Sequence, residues 1–144
     1  MGKTRQTGKL VSDNIISPDI VNDRIGLGIA NPSAKLHVVG DVMITGVTTS
    51  TDFNSASDIN LKTNIKTIEN PIEKIIQING VTFNWKKDAR PSVGVIAQEI
   101  EKVFPELVQG EDPKTVNYNG LVGLLIECIK EQQVEIDYLK GKLK

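Results

Sequence analysis

Apolar and polar positions follow a different period on either side of Ser57. Upstream, apolar residues alternate with glycine or polar residues in short runs between turn residues. This period of two predicts β-strands at residues 24–29, 35–39 and 42–44. Glycine occupies one face of the first predicted strand, which suggests that another backbone approaches it closely, as at a crowded fibre axis.

Downstream of Ser57, segments of helical spacing surround one segment of strand-like alternation. Asn70-Pro71 predicts a helix start with Asn70 as the N-cap. Residues 81–86 alternate as a half-buried strand, and residues 96–104 have helical spacing up to a proline. We therefore predict an α+β fold, with a β-rich fibre segment over residues 1–56 and a small mixed α/β domain over residues 57–144.

The last predicted helix, residues 121–144, carries apolar residues at the a and d positions of about three heptads. The apolar members are Val122, Leu125, Ile129, Ile136, Leu139 and Leu143, and the polar Gln132 fills the remaining position. The pattern indicates an oligomerising coiled coil, and the alternative is an amphipathic helix docked on its own domain. Isoleucine at a with leucine at d would by itself favour a dimer.

Large side chains are concentrated in the second half of the chain. Aromatic residues make up 4% of the sequence, and only Phe53 precedes Ser57. A segment this poor in large side chains needs partner chains to bury its apolar face. The upstream strands therefore favour a β-structured fibre in which several chains share one core.

Composition excludes several functional classes. The net charge of -1 gives no basic footprint for nucleic acid, and no apolar run approaches the ~20 residues of a membrane helix. The single cysteine, Cys128, fits a reducing compartment. With a single histidine, His37, and no cysteine cluster, we expect neither a metal nor a cofactor. Gly26-x-Gly28 lacks the third glycine and the following helix of a dinucleotide-binding loop.

A hydroxyl and an amine stand five residues apart where the two stretches meet, at Ser57 and Lys62. They are either an accident of the linker or a nucleophile with its base. A serine hydroxyl needs a base, and without a usable histidine nearby in sequence the lysine is the candidate, since serine–lysine pairs are a known catalytic arrangement. Asp58 and Asn60 are close enough in sequence to contribute to positioning.

Two sets of motifs resemble known families. Upstream, the sequence resembles the repeating phrase of phage tail fibres and related virion structural proteins, at Ile25-Gly26-Leu27-Gly28, at residues 31–38 and at Gly40-Asp41-Val42. Downstream, it resembles the intramolecular chaperone domain of endosialidase and tail-spike proteins, the S74 peptidase family. The matching motifs are Ser57-Asp58-x-x-Leu61-Lys62-x-Asn64-Ile65, Phe83-x-Trp85-Lys86, residues 94–99, Pro105-Glu106-Leu107-Val108, Tyr118-x-Gly120-Leu121-Val122-x-Leu124-Leu125 and Ile129-Lys130-Glu131.

The second resemblance implies a domain that forms a homotrimer, helps the upstream β-fibre wind and then cuts itself off. By position, Ser57 would be the nucleophile, Lys62 the base, and the bond between Ala56 and Ser57 the cleavage site. If active, the chain would be a single-turnover serine endopeptidase acting on itself.

The resemblance also implies a location and partners. We expect a virion tail-fibre protein, assembled in the host cytoplasm, whose N-terminal segment binds other tail or baseplate proteins.

Two other interpretations use the same domain. In one, the protein is a fibre protein that does not cleave and keeps its C-terminal domain as a trimerisation cap. In the other, it is a membrane-tethered transcription factor of the myelin-regulatory type. The second lacks support, because the sequence has neither a DNA-binding region nor a membrane span.

Overall fold

A computed structural model describes residues 16–143 of the chain, and its backbone divides into two compact units between Ala56 and Ser57. Residues 1–9, expected to be an irregular or attachment segment, lie outside the described residues.

Residues 16–56 of the first unit contain one small sheet of three strands, in the order β1–β2–β3. Strand β1 (Ile16–Asp19) pairs antiparallel with β2 (Arg24–Leu27), and β2 pairs parallel with β3 (Leu36–Val38). The strands predicted at 24–29 and 35–39 are therefore present in shortened form. The strand predicted at 42–44 is wrong, because no strand among residues 16–143 pairs with this exposed segment.

Two positions, one in β2 and one just after it, require glycine because other backbone atoms of the same chain lie very close to them. A Cβ added at Gly26 would overlap the backbone oxygen of Ile29. Gly28 has a φ of +72°, and a Cβ there would lie 3.0 Å from the oxygen of Val39. The close approach expected from the glycine pattern thus occurs, but the neighbouring backbone belongs to the chain itself.

Residues 57–143 of the second unit contain three helices and two small hairpins. The helices are α1 (Pro71–Ile75), α2 (Ala97–Val103) and α3 (Tyr118–Lys142). The first hairpin pairs β4 (Val81–Asn84) with β5 (Pro91–Gly94), and the second pairs β6 (Val108–Gln109) with β7 (Thr115–Val116). Short 3₁₀ turns occupy Ile59–Leu61 and Pro105–Leu107. The predicted α+β class and the long C-terminal helix are confirmed.

Local signals explain most of these boundaries. Pro71 begins α1, but Asn70 does not cap it, because its left-handed backbone (φ 49°) differs from the extended conformation of a capping residue. Asn117 caps α3 by accepting a hydrogen bond from the backbone N–H of Asn119 at 3.1 Å. Helix α3 therefore begins at Tyr118, three residues before the predicted start.

The core of the second unit lies where α3 packs against α1 and α2. Ile100 and Leu124 are fully buried, and three further residues are buried around them: Phe104, Leu121 and Cys128. Partly buried isoleucines of the segment around α1 close one side of the core, at Ile68, Ile72 and Ile75. Burial of this apolar surface holds the first part of α3 on its own unit.

Candidate functional site

The candidate site is a 3₁₀ turn at the first residues of the second unit. The turn spans Ile59–Leu61, and backbone bonds close it from Leu61 N to Asp58 O and from Lys62 N to Ile59 O, each 3.1 Å long. Ser57 lies before the turn and Lys62 is its C-cap. None of the turn residues is buried.

The turn brings the predicted nucleophile and base into direct contact. Lys62 Nζ donates a hydrogen bond to Ser57 Oγ at 2.7 Å, and both residues are exposed. This separation is within the range at which a proton passes between two groups. In this arrangement the amine is the donor and the hydroxyl oxygen is the acceptor. The same pair of atoms could exchange roles once the amine has lost its proton.

Asp58 and Asn60 lie in the same turn but contact each other rather than the serine–lysine pair. Asp58 is the N-cap, with an extended backbone (φ -61°, ψ 139°). Its Oδ1 accepts hydrogen bonds from Asn60 N at 2.7 Å and from Asn60 Nδ2 at 2.9 Å. Both side chains therefore act on the shape of the turn.

A second lysine of this unit, Lys114, contacts acidic side chains rather than a serine hydroxyl. Lys114 Nζ lies 2.7 Å from Glu101 Oε1 and 3.8 Å from Glu111 Oε2. The hydrogen bond with Glu101 raises the pKa of Lys114, so this amine keeps its proton. Lys114 lines an open groove of about 600 Å³ with Phe83, Trp85 and Tyr118. A protonated lysine is unsuited to act as a base. Lys114 therefore does not give the groove a base of the kind predicted for Lys62.

The predicted a and d positions form an exposed apolar stripe along α3. Val122, Leu125 and Ile129 are between 49% and 64% exposed, while Leu121, Leu124 and Cys128 are buried on a different face of the same helix. After Cys128, every described residue of the helix is exposed. The helix thus docks on its own unit through one face and leaves the heptad stripe uncovered.

Three other features concern metal ligands, membrane spans and the free cysteine. Among residues 16–143, no three histidine, cysteine, aspartate or glutamate residues lie close enough to hold a metal ion. No helix in this part of the chain is long and apolar enough to cross a membrane. Burial raises the pKa of the Cys128 thiol, which disfavours the reactive thiolate.

Comparison with known families adds to this geometry. Residues 57–109 match the Peptidase S74 family, described as chaperone of endosialidase. The matched residues lie within the second unit. The match begins at Ser57, the first residue of the second unit.

Several relatives are phage fibre proteins. Long tail fiber protein Gp37 of Salmonella phage S16 is 37% identical over 106 residues, covering 65% of this chain and 14% of that protein. The proteins of the same name from Enterobacteria phages Ox2 and M1 are 32% identical over 136 and 139 residues. These alignments cover 81% and 83% of this chain, and 54% and 55% of the relatives.

The chain is therefore a relative of phage long tail fibre proteins and carries a chaperone-of-endosialidase domain. It spans only 14% to 55% of the length of these three relatives. The family resemblance seen in the sequence motifs is confirmed.

One residue of helix α3 was missed as a member of the exposed stripe. Tyr118 stands seven residues before Leu125, at the preceding d position, and its side chain is 54% exposed. The spacing of seven was the available signal, and the Asn117 cap is what extends the helix to include it.

Proposed function

We propose that this chain is a homotrimeric phage fibre protein whose chaperone domain cuts the chain once, between Ala56 and Ser57. The observation that carries the proposal is the 2.7 Å contact between Lys62 Nζ and Ser57 Oγ. This contact stands at the boundary of two units, next to the bond to be cut. The match of the second unit to the chaperone-of-endosialidase family supports the same reaction.

The proposed chemistry begins with attack of Ser57 Oγ on the carbonyl carbon of Ala56. Lys62 takes the hydroxyl proton and passes it to the nitrogen of Ser57 as the peptide bond breaks. The product is an ester between Ala56 and the Ser57 side chain. Water then hydrolyses the ester, which gives a carboxylate at Ala56 and restores the hydroxyl of Ser57.

Lys62 can take this proton only as a neutral amine, and a lysine becomes neutral near pH 7 when it is removed from water. In the single chain Lys62 is exposed. We therefore propose that assembly of several chains covers Lys62, so that cutting follows assembly. Such coupling would delay the cut until the fibre has formed.

The exposed stripe of α3 supports self-assembly. Residues 129–142 extend about 21 Å past the last buried residue of the helix, and an isolated helix of this length is marginal in water. Glu135 at a g position and Lys140 at the following e position are opposite charges that pair between parallel copies. The choice of three chains rather than two rests on the family resemblance.

We further propose that the protein is a virion fibre component, assembled in the host cytoplasm and joined through its N-terminal segment to other tail or baseplate proteins. The similarity to phage long tail fibre proteins supports this location.

The intact mass and N-terminal sequence of the purified, expressed chain test the cleavage. We expect the 15.8 kDa chain to give two fragments, one of which begins at Ser57. Ser57→Ala should leave only the full-length chain. Lys62→Arg should also block the cut, because arginine keeps the positive donor but cannot act as a base. The matched control is Lys66→Arg, an exposed lysine nearby, which should cut like the wild type.

A wild-type chain that stays at full length in its assembled form, indistinguishable from Ser57→Ala, would contradict the cleavage. The protein would then be a structural fibre component with a retained trimerisation cap.

A further inference from the structure

We infer that Asp58 is a positioning residue, which places Lys62 against Ser57 by capping the turn between them. The inference rests on the proposed cleavage, since it assigns a role within the same site. Both side-chain hydrogen bonds that Asp58 accepts come from Asn60, whereas Lys62 donates to Ser57.

The first step of the argument is distance. In an extended chain, residues five apart are about 17 Å apart, whereas Lys62 Nζ and Ser57 Oγ are 2.7 Å apart. The lysine side chain alone cannot span this difference. The 3₁₀ turn at Ile59–Leu61 shortens the path, so the contact depends on the turn being formed.

The second step is what holds the turn. No residue of Ile59–Leu61 is buried, so apolar packing within the described chain does not fix it. The described bonds are the two 3.1 Å backbone bonds that close the turn and the two bonds that Asp58 accepts from Asn60. Loss of a capping side chain of this kind typically makes a helical turn several-fold less populated. For an exposed single turn, the cap decides how often the turn is present.

The third step separates a capping role from a role for charge. Both bonds from Asn60 reach the same oxygen of Asp58, Oδ1. The amide oxygen of asparagine can accept the same two bonds, and asparagine is as good an N-cap as aspartate. A residue that acted through its negative charge, or by moving a proton, could not be replaced in this way.

The experiment measures the rate of cleavage after assembly in the full chain. Asp58→Asn should cut within about two-fold of the wild-type rate, because the cap is kept. Asp58→Ala should be about five-fold slower or more, because the cap is lost. Asn60→Ala keeps the backbone donor and loses only the side-chain bond, so its rate should fall between the two.

The matched control is Asp52→Ala. Asp52 is also exposed and also accepts a bond from a backbone N–H, that of Phe53 at 2.8 Å, but it lies outside the turn. Its loss should leave the rate unchanged. The mass of the assembled protein should be the same in every variant, which separates positioning from a failure to fold or assemble.

Two results would overturn the inference. One is an Asp58→Asn variant as slow as Asp58→Ala, which would mean that the negative charge acts directly while the proposed cleavage still stands. The other is an Asp58→Ala variant that cuts at the wild-type rate.

If the assembled wild type does not cut, the proposed function fails and the positioning role is tested by geometry instead. Crystal structures of the assembled wild type and of Asp58→Ala would then be compared. Loss of the Lys62–Ser57 contact in the variant supports the inference, and a retained contact overturns it.

Discussion

Burial separates the two units of this protein. Among residues 16–56, the buried residues are Ser17, Gly26 and Pro32, and no large apolar side chain is buried. In residues 57–143, helix α3 closes a core that includes the fully buried Ile100 and Leu124. Apolar burial is the main source of folding free energy, and among the described residues it is concentrated in the second unit.

This difference suggests an order of events. The second unit would fold first and bring copies together through α3, and the first unit would then gain a core from its neighbours. Exposed apolar residues of the first unit, such as Ile20, Met43 and Phe53, are available for that core.

The largest effect is expected from making the exposed stripe of α3 polar. Ile129→Asn combined with Ile136→Asn places polar groups at two a positions of the exposed stripe. We expect light scattering to give the mass of one chain, hydrogen exchange to show fast amides in β2 and β3, and cleavage to stop. The core around Leu124 should remain protected.

The control for that variant is Val134→Asn, which is exposed but off the stripe, and it should assemble normally. A monomeric double variant that still cut at the wild-type rate would contradict the proposed coupling between assembly and cleavage.

A smaller effect is expected from opening the core of the second unit. Leu124→Ala should lower the free energy of unfolding by about 2–5 kcal/mol, because a fully buried leucine leaves a cavity. Denaturant titration of the second unit measures it. Val134→Ala is the exposed control on the same helix and should stay within about 0.5 kcal/mol. Equal effects of the two changes would mean that the helix does not pack as described.

A change at Gln132 tests whether the exposed stripe of α3 becomes buried when copies of the chain assemble. It is the polar member of the stripe, and a polar group in such a seam fixes register at a cost in stability. We expect Gln132→Leu to stabilise the assembly by about 1.5–3 kcal/mol per chain, through burial of the leucine. Light scattering should also reveal mixed oligomer sizes. Gln133→Leu, one position off the stripe, should do neither, and an unchanged Tm for Gln132→Leu would argue against a buried seam.

The smallest effect is expected from removing an asparagine side chain that donates to a carboxylate. Such a pair occurs in each unit. In the second unit, Asn79 donates from its backbone and side chain to the Glu99 carboxylate, which lowers the pKa of Glu99. Asn79→Ala should slightly lower the Tm at pH 7. Because the folded pKa lies below the ordinary value, this loss should be present above pH ~4.5 and disappear as the pH falls through the folded pKa.

The matched change in the first unit is Asn22→Ala. Asn22 similarly lowers the pKa of Asp19, but in a unit whose described residues, 16–56, bury no large apolar side chain. Asn22→Ala should leave the unfolding of the second unit unchanged at every pH. A pH-independent effect of Asn79→Ala would show that the Glu99 carboxylate is not the group involved.

Much of the fold could be predicted because local pattern and tertiary packing agree. The spacing of Ile100 with its neighbours placed α2, and the alternation around Phe83 placed β4. Strand β1 was missed because Pro18 and Asp19 are typical of turns, yet pairing with β2 holds them in an edge strand. Residues 42–44 have the sequence of a strand, but a strand forms only where a partner is available.

The candidate site was only partly predictable. A spacing of five between Ser57 and Lys62 is compatible with contact only if a turn intervenes. The bonds between Asp58 and Asn60 that support this turn could not be predicted from the residue pattern. Likewise, the heptads marked an apolar stripe on α3, but Leu121, Leu124 and Cys128 are apolar as well. Only tertiary packing decides which of these faces is used within the chain.

The position of Ser57 and Lys62 relative to the bond between Ala56 and Ser57 determines whether the proposed cut can be reversed. Both residues lie on the same side of that bond, within the second unit. A cut there would leave the fibre ending in an ordinary carboxylate, and the departing unit would carry away both the hydroxyl and the amine. The finished fibre could then neither be cut again at this site nor rejoined to the departed unit. Maturation would run in one direction without an external source of energy.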